Sequence, residues 1–180
     1  MTPNEWDQEY GEGVWDYLSD AREVAHYAVQ AALVSHFSAG DLILDVACGE
    51  GILQRYLKPW GYARYLGIDK SQAAIERANV RQDDRTQFVV AEAETFVPSH
   101  MFTCIAFSEC LYYFSDPNHV VQQYSQWLMG GGIMVTSVYA SRESESLVIG
   151  TDRLRILEET TVTNCRGAWK CTAFSIKPGG

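Results

Sequence analysis

The residues with the clearest chemistry lie in the stretch Leu42–Gln54. A short apolar run, Leu42–Leu44, is typical of a buried parallel strand, and Asp45 follows it directly. Gly49 and Gly51 then permit a tight loop, after which apolar residues recur at helical spacing. Because glycines let the backbone approach a ligand and a helix start offers free N–H groups, this stretch predicts a nucleotide-binding corner.

The acid in this corner argues against a phosphate ligand. A dinucleotide fingerprint needs three spaced glycines to approach a pyrophosphate, whereas this chain has Ala47 at the first glycine position and Gln54 at the third. Asp45 stands just before the loop, where it would repel phosphate. This disfavours a nicotinamide oxidoreductase. A carboxylate here suits a ligand with a positive group and no phosphate, such as S-adenosylmethionine.

The Asp-x-x-x-Gly-x-Gly form of Asp45–Gly51 resembles the first motif of class I S-adenosylmethionine-dependent methyltransferases. The resemblance covers roughly Asp20–Lys177. It implies S-adenosyl-L-methionine as cofactor and S-adenosyl-L-homocysteine as product, with Ala47 and Cys48 contributing to the cofactor loop. It also implies an α/β fold, a Rossmann-like doubly wound sheet of order 3-2-1-4-5-7-6, with strand 7 antiparallel and helices on both faces.

A second acid ends the next predicted strand. Arg64–Ile68 predicts strand two, and Asp69 follows it, 18 residues after Gly51. Nucleotide sites in α/β folds place an acid near this offset to bind the ribose hydroxyls. We therefore predict that Asp69 binds ribose, with Lys70 beside it at the cofactor, although Asp69 could instead cap the helix that follows.

A third acid follows the third predicted strand, Gln87–Ala91. The resemblance implies that Glu92 faces the adenine amine and that the Ala93 N–H reaches a ring nitrogen. The alternative is a glutamate on a solvent-exposed loop.

The candidates for chemistry follow the fourth predicted strand, Met101–Phe107. Ligands in open α/β sheets bind at the carboxyl ends of strands, so this loop should meet both cofactor and substrate. Ser108 is predicted to contact the cofactor. A base is needed only when the methyl acceptor must lose a proton, and the alternative for each candidate is packing or solvent exposure. The predicted catalytic residues are Glu109, Tyr112, Tyr113 and His119.

The segment Ser108–Tyr113, Ser-Glu-x-Leu-Tyr-Tyr, is similar to one in small-molecule N-methyltransferases of the nodulation-factor type. This resemblance favours an amine acceptor. The predicted function is methyl transfer from S-adenosylmethionine to a nitrogen or oxygen of a small molecule by in-line displacement. The alternative is a protein that binds the cofactor without transferring methyl, such as a repurposed cyclase or a non-catalytic partner.

The predicted elements form one domain, 20–180, after an N-terminal arm, 1–19. The arm is rich in aromatic and acidic residues and either packs on the domain or forms a lid over the ligand. Asp20 and Glu23 suggest a capping box for a helix that ends near Phe37. His26 and His36 are expected at the edges of its buried face, which is predicted to comprise Val24, Tyr27, Ala28, Ala31, Ala32 and Val34.

The C-terminal part predicts a compact end to the sheet. Gly130–Gly132 ends a helix and precedes strand five, Ile133–Tyr139. Ser141–Glu158 has room for at most one short helix. Thr160–Cys165 and Trp169–Ile176 alternate as a terminal hairpin.

Composition excludes several classes of partner. The net charge of −9 and the lack of any basic cluster among 14 Lys+Arg argue against nucleic acid. No apolar run reaches the ~20 residues of a membrane span, and the polar N-terminus predicts no signal peptide. Five cysteines without a Cys-x-x-Cys pair indicate reduced thiols and a cytoplasmic setting. The four histidines give no metal-ligand spacing. A homodimer is compatible with the sequence.

Overall fold

The structure, a computed structural model, describes residues 1–38, 42–140 and 153–177. Its strands form a sheet of order β3-β2-β1-β4-β5-β7-β6, in which β7 is antiparallel to both of its neighbours. The predicted strand order is therefore confirmed. The strands are β1 (Leu42–Val46), β2 (Arg64–Asp69), β3 (Thr86–Val90), β4 (Phe102–Ser108), β5 (Leu128–Tyr139), β6 (Leu154–Asn164) and β7 (Gly167–Ile176).

The helices of the described chain cover both faces of the sheet. One apolar core contains residues of α2 and α3 with one end of α4, and a second core contains the buried face of α5. Strand β1 contributes to both, since Ile43 lies in the first core and Leu44 in the second. This burial on both faces explains the unbroken apolar run. The helices are α1 (Pro3–Gly11), α2 (Val24–Phe37), α3 (Ile52–Leu57), α4 (Gln72–Ala78) and α5 (Pro117–Ser125).

The capping box expected at Asp20 is wrong. Helix α2 begins at Val24, its N-cap is Glu23, and no side chain caps it. The Glu23 carboxylate is instead buried beside Arg166, with Oε1 3.1 Å from the guanidinium Nε, and the Asp20 carboxylate pairs with Arg22. Tertiary ion pairs have thus replaced the local cap.

The buried face of α2 also differs from the prediction. His26 is fully buried and stacks on Trp169 with ring centroids 4.7 Å apart, whereas His36 is exposed. Val24, Ala28 and Ala32 are exposed as well. The buried positions are His26, Tyr27, Gln30, Ala31, Leu33 and Val34.

Strand β5 is longer than predicted because it includes the triple glycine. Its register against β4 shifts between the Phe102–Leu128 pair and the Cys104–Ile133 pair. At Gly132 a Cβ would lie 2.9 Å from the Met129 carbonyl oxygen, so the strand irregularity leaves no room for a side chain.

The C-terminal hairpin is confirmed, with β6 starting earlier than predicted. The segment Ser141–Glu158, expected to hold at most one short helix, lies partly outside the described residues, since 141–152 are not described, and residues 154–158 belong to β6. The five cysteines are free thiols, in line with the expectation of reduced cysteines. Within the described ranges, no helix is long and apolar enough to cross a bilayer.

We predict that Gly51→Ala destabilises the fold more than Gly61→Ala. Both glycines have positive φ, +75° and +85°, but a Cβ at Gly51 would lie 2.8 Å from the Phe88 ring, whereas nothing lies within 4 Å at Gly61. Backbone strain alone costs roughly 1–2 kcal/mol, and overpacking adds roughly 1–3 kcal/mol. Urea unfolding measures both free energies; equal losses would show that the ring yields without cost.

Candidate functional site

A cavity of about 890 Å³ lies at the carboxyl ends of the parallel strands. The loops after β1, β2, β3 and β4 line it, and aromatic residues of the N-terminal segment line it from the other side. Its volume falls in the range of small-molecule and cofactor sites. The fold therefore brings the ends of four strands together around one ligand-sized space.

The loop after β1 is held in a strained shape. Ala47 and Gly49 both have φ of +54°, and the Cys48 N–H donates to the Ile68 carbonyl oxygen at 2.9 Å. A left-handed alanine costs roughly 1–2 kcal/mol, and such strain clusters at ligand sites. Ala47, Cys48 and Gly49, which are predicted to bind the cofactor, line the cavity. Gly51 does not line it; this glycine permits the close contact with Phe88.

Asp45 places a buried carboxylate at the wall of the cavity. Its Oδ2 accepts a hydrogen bond from the Tyr65 hydroxyl, whereas Oδ1 accepts none from a described residue. Burial raises the pKa of Asp45 to about 7 against the effect of the Tyr65 hydrogen bond, and the charge of Asp69 adds to the increase. Because an unpaired buried acceptor costs free energy, this carboxylate suits a cationic donor such as an ammonium.

Asp69 joins the glycine loop to α4. Its Oδ2 accepts from the Gly49 N–H and its Oδ1 from the Ser71 N–H, both at 2.9 Å. Burial raises the pKa of Asp69, while these two hydrogen bonds oppose the increase. The N-cap of α4 is Ser71, whose Oγ accepts from the Ala74 N–H at 3.1 Å. A carboxylate has lone pairs beyond these two bonds, so Asp69 can also accept ribose hydroxyls.

The predicted adenine residues lie in the same cavity. Glu92, Ala93 and Lys70 all line it, and Lys70 Nζ is 3.6 Å from Glu92 Oε2. The Ala93 carbonyl oxygen accepts a hydrogen bond from Tyr124 at 2.9 Å, which anchors this loop to α5.

Glu109 places a carboxylate at the wall of the cavity. Its φ of +55° is unusual for a non-glycine residue, and its N–H donates to the Ser137 carbonyl oxygen at 3.0 Å. The Ser137 hydroxyl donates to Oε1 and the Tyr112 hydroxyl to Oε2. Burial raises the pKa of Glu109 to about 7, and these two hydrogen bonds oppose the increase. Such a carboxylate can exchange a proton near neutral pH.

The other residues predicted for this loop divide into two groups. Ser108, Tyr112 and Tyr113 line the cavity, and the Ser108 hydroxyl donates to Gln30 Oε1 at 2.9 Å. His119 is exposed on the first turn of α5 and does not line the cavity. Its backbone N–H is bonded to the Asp116 cap at 2.9 Å.

The structure adds a second group of lining residues that the sequence did not suggest. Arg166 Nε lies 3.1 Å from Glu23 Oε1, and the guanidinium lies 4.4 Å from the centre of the Tyr17 ring. The Tyr139 hydroxyl donates to the Arg166 carbonyl oxygen at 2.9 Å. These residues come from distant segments and carry no motif. After the roles proposed for them below, we call this region, with Glu109, the acceptor half, and the set Asp45, Cys48, Asp69 and Glu92 the cofactor half.

The N-terminal segment packs against the cofactor half. Asp7 Oδ1 accepts from the Ser71 hydroxyl at 2.7 Å and from the Ala73 N–H at 3.0 Å. A Cβ added to Gly49 would lie 2.7 Å from the Tyr10 hydroxyl, so Tyr10 closely covers the glycine loop. These contacts are compatible with both expectations for the arm, namely packing on the domain and forming a lid over the ligand.

The site residues form no metal site. Within the described ranges, no group of three or more histidine, cysteine, aspartate or glutamate side chains could hold a metal ion.

Known proteins similar to this chain are methyltransferases. Residues 17–160 match the Methyltransf_23 family, described as a methyltransferase domain. The 27-O-demethylrifamycin SV methyltransferase of Amycolatopsis mediterranei (strain S699) is 31% identical over 135 residues, 71% of this chain and 50% of that protein. The trans-aconitate 2-methyltransferase of Enterobacter sp. (strain 638) is 26% identical over 122 residues, 66% of this chain and 48% of that protein. The chain thus spans about half the length of these curated relatives.

Solved structures share the fold. N-methyltransferase NodS from Bradyrhizobium japonicum WM9, in complex with S-adenosyl-L-homocysteine, has a TM-score of 0.75 at 20% identity. The similarity covers 96% of this chain and 98% of that chain. Magnesium protoporphyrin IX methyltransferase from Synechocystis PCC 6803, with bound S-adenosylmethionine, has a TM-score of 0.75 at 12% identity, over 97% and 96% of the two chains.

The family match covers most of the chain and includes the strand ends that build the cavity. It confirms the expected class and, with it, S-adenosylmethionine as the cofactor of that class. The chain belongs to the Methyltransf_23 family of methyltransferase domains, within the class I S-adenosylmethionine-dependent methyltransferases.

Proposed function

We propose that the cavity binds S-adenosylmethionine in its cofactor half and transfers the methyl group to a nitrogen or oxygen of a small molecule in its acceptor half. The observation that carries this proposal is the shared cavity, which Asp45, Asp69, Glu92 and Glu109 all line. These acids follow or end successive strands, and a cofactor of this kind offers an ammonium, a ribose diol and an adenine amine along its length.

The residues of the cofactor half have separate roles in this proposal. Asp45 attracts the ammonium, because its Oδ1 lacks a hydrogen bond from any described residue. Asp69 accepts the ribose hydroxyls, and Glu92 with the Ala93 N–H reads the adenine edge. Further contacts to the cofactor come from the glycine loop and two flanking residues, namely Ala47, Cys48, Gly49, Lys70 and Ser108. Gly51 supports the loop from behind.

Methyl transfer requires that the acceptor be oriented toward the methyl group and, for some acceptors, that a base remove a proton. When bound, S-adenosylmethionine supplies a methyl group on a positively charged sulfur and leaves as S-adenosylhomocysteine. The cavity walls align the acceptor with this group and exclude water, which can supply roughly 7–11 kcal/mol of the barrier reduction. Glu109 accepts the proton that the acceptor loses, while Tyr112 and Tyr113 wall the path to the cofactor. His119 has no role in this proposal, since it lies outside the cavity.

A small-molecule acceptor is supported by the names of the relatives, which include methyltransferases of 27-O-demethylrifamycin SV and of trans-aconitate. The same proposal includes an amine as the methyl acceptor, as expected from Ser108–Tyr113, and an N-terminal segment that acts as a lid. It also includes a cytoplasmic setting and a homodimer. The alternative, a cofactor-binding protein without turnover, predicts S-adenosylhomocysteine binding and no methyl transfer to any acceptor.

Asp45→Asn should weaken S-adenosylhomocysteine binding, because it removes the charge that faces the ammonium. A hydrogen bond to a charged group contributes about 1.5–3 kcal/mol, so the Kd should rise about 10- to 150-fold. Calorimetric titration measures it. Asp84→Asn, a change of the same chemistry at an exposed turn, is the matched control and should leave the Kd unchanged. An unchanged Kd in the Asp45 variant would remove Asp45 from the site.

Asp45→Asn should also be more stable than the wild type at alkaline pH. Since the folded-state pKa of Asp45 is about 7 and its ordinary value is 3.8, the folded protein favours the protonated acid. Its contribution to stability is complete below pH 3.8 and is lost as pH rises through about 7. Unfolding in urea should show the advantage of Asp45→Asn growing from about pH 4 to about pH 7 and staying constant above that. A difference in unfolding free energy that stays constant with pH would contradict a buried Asp45 carboxylate with a raised pKa.

Glu109→Gln should lower turnover and remove an ionisation from its pH profile. For an acceptor that must lose a proton, wild-type kcat should rise through pH of about 7, as Glu109 ionises. Loss of general-base catalysis costs about 10²- to 10⁴-fold in kcat. Labelled methyl transfer measures the rate, with exposed Glu76→Gln as matched control. An unaltered profile with full activity would assign Glu109 to packing.

A further inference from the structure

The acceptor half carries more negative than positive charge. Glu23, only 2% exposed, and Glu109 both line it, and Arg166 is the cation that the described chain places beside them. Arg166 is already engaged, with Nε 3.1 Å from Glu23 and Nη1 3.8 Å from Asp20. The guanidinium is thus ion-paired with two carboxylates of this chain, although its Nη1 has no hydrogen-bond partner among the described residues, and the acceptor half retains a negative balance.

The two carboxylates line the same cavity as Tyr17. Tyr17 lies under Arg166, and burial together with the charges of Glu23 and Glu109 raises the pKa of its phenol. Both acids are thus within electrostatic reach of the same side chain. A ligand group beside Tyr17 would interact with both acids.

Aromatic rings form the wall next to these acids. The Trp6 ring meets Tyr113 edge-on at 4.9 Å and lies 5.4 Å from Trp15, and these rings line the cavity with Tyr17. Ring faces attract cations and pack against flat apolar groups. The wall therefore suits a cation attached to a flat apolar body.

We propose that the methyl acceptor is a protonated amine on such a body, with the ammonium held between Glu109 and Glu23. This rests on the function proposed above and names its substrate class. An ammonium balances the two carboxylates together with Arg166. A carboxylate or phenolate acceptor would add a further negative charge beside them.

Charge movement in the reaction supports the same class. The ammonium first gives a proton to the Glu109 carboxylate and becomes a neutral amine. The nitrogen lone pair then forms the new bond to the methyl carbon, while the carbon–sulfur electron pair stays on sulfur. Positive charge moves from sulfur to nitrogen, toward Glu23, so the attraction is stronger in the transition state than in the neutral amine complex. An oxygen acceptor would end neutral and gain nothing from these carboxylates.

The test measures binding to the full chain saturated with S-adenosylhomocysteine. The probes share one body: 2-phenylethylamine, 4-ethylphenol and 3-phenylpropanoate. Calorimetry at about pH 8, where the amine is protonated, should show the amine binding at least about tenfold tighter than the phenol, and the carboxylate weakest. Glu23→Gln and Glu109→Gln should each weaken the amine about 10- to 100-fold, because each removes one charged partner.

Two controls separate the outcomes. S-adenosylhomocysteine affinity reports an intact fold, and Glu76→Gln, at an exposed position of α4, should bind the amine like the wild type. The proposal is overturned if the phenol or carboxylate binds more tightly, if neither glutamine variant weakens the amine, or if the amine fails to bind at about 10 mM. Loss of S-adenosylhomocysteine binding by the wild type would instead overturn the proposed function.

Discussion

The carboxylate of Asp69 joins the segments that surround the cofactor half. One oxygen fixes the Gly49 N–H of the glycine loop, and the other fixes the Ser71 N–H at the start of α4. Ser71 in turn donates through its hydroxyl to Asp7 of α1, so the N-terminal helix docks on the same assembly. Backbone N–H groups in a loop need hydrogen-bond partners, and Asp69 supplies one for the Gly49 N–H. The same acid positions α4 directly and α1 through Ser71. The geometry of the cofactor half depends on this arrangement.

Several unfavourable features of the structure occur at this cavity. Ala47 and Glu109 adopt positive φ, and the carboxylates of Asp45 and Glu109 are buried with raised pKa values. Each feature costs free energy, which matters because the net stability of a domain is small. Strain and buried charge are retained where they aim a group at a ligand, since the ligand can supply the missing partner. Their common location links stability to function.

The strands were predicted from local patterns and their order from the family resemblance, and most of the residues predicted to bind the cofactor line the cavity. Asp45, Asp69 and Glu92 follow or end strands whose apolar runs are easily detected, and parallel strands bring their carboxyl ends to one edge. The acceptor half was missed in part. Glu23 was predicted to be a capping residue and Arg166 belonged to no predicted site, and only the fold brings them within 3.1 Å. His119 is the converse case: it is near Glu109 in sequence, but it does not line the cavity.

The turn between β6 and β7 belongs to the acceptor half of the cavity and not to the cofactor half. Asn164 donates to the Arg22 carbonyl oxygen at 2.6 Å, and Arg166 meets Glu23, so this turn closes the acceptor half against the start of α2. The loops after β1, β2 and β3, which form the cofactor half, contribute nothing to that closure. Under the proposed function, a change in one short hairpin turn and its docking partners would reshape the acceptor half and leave the cofactor half intact.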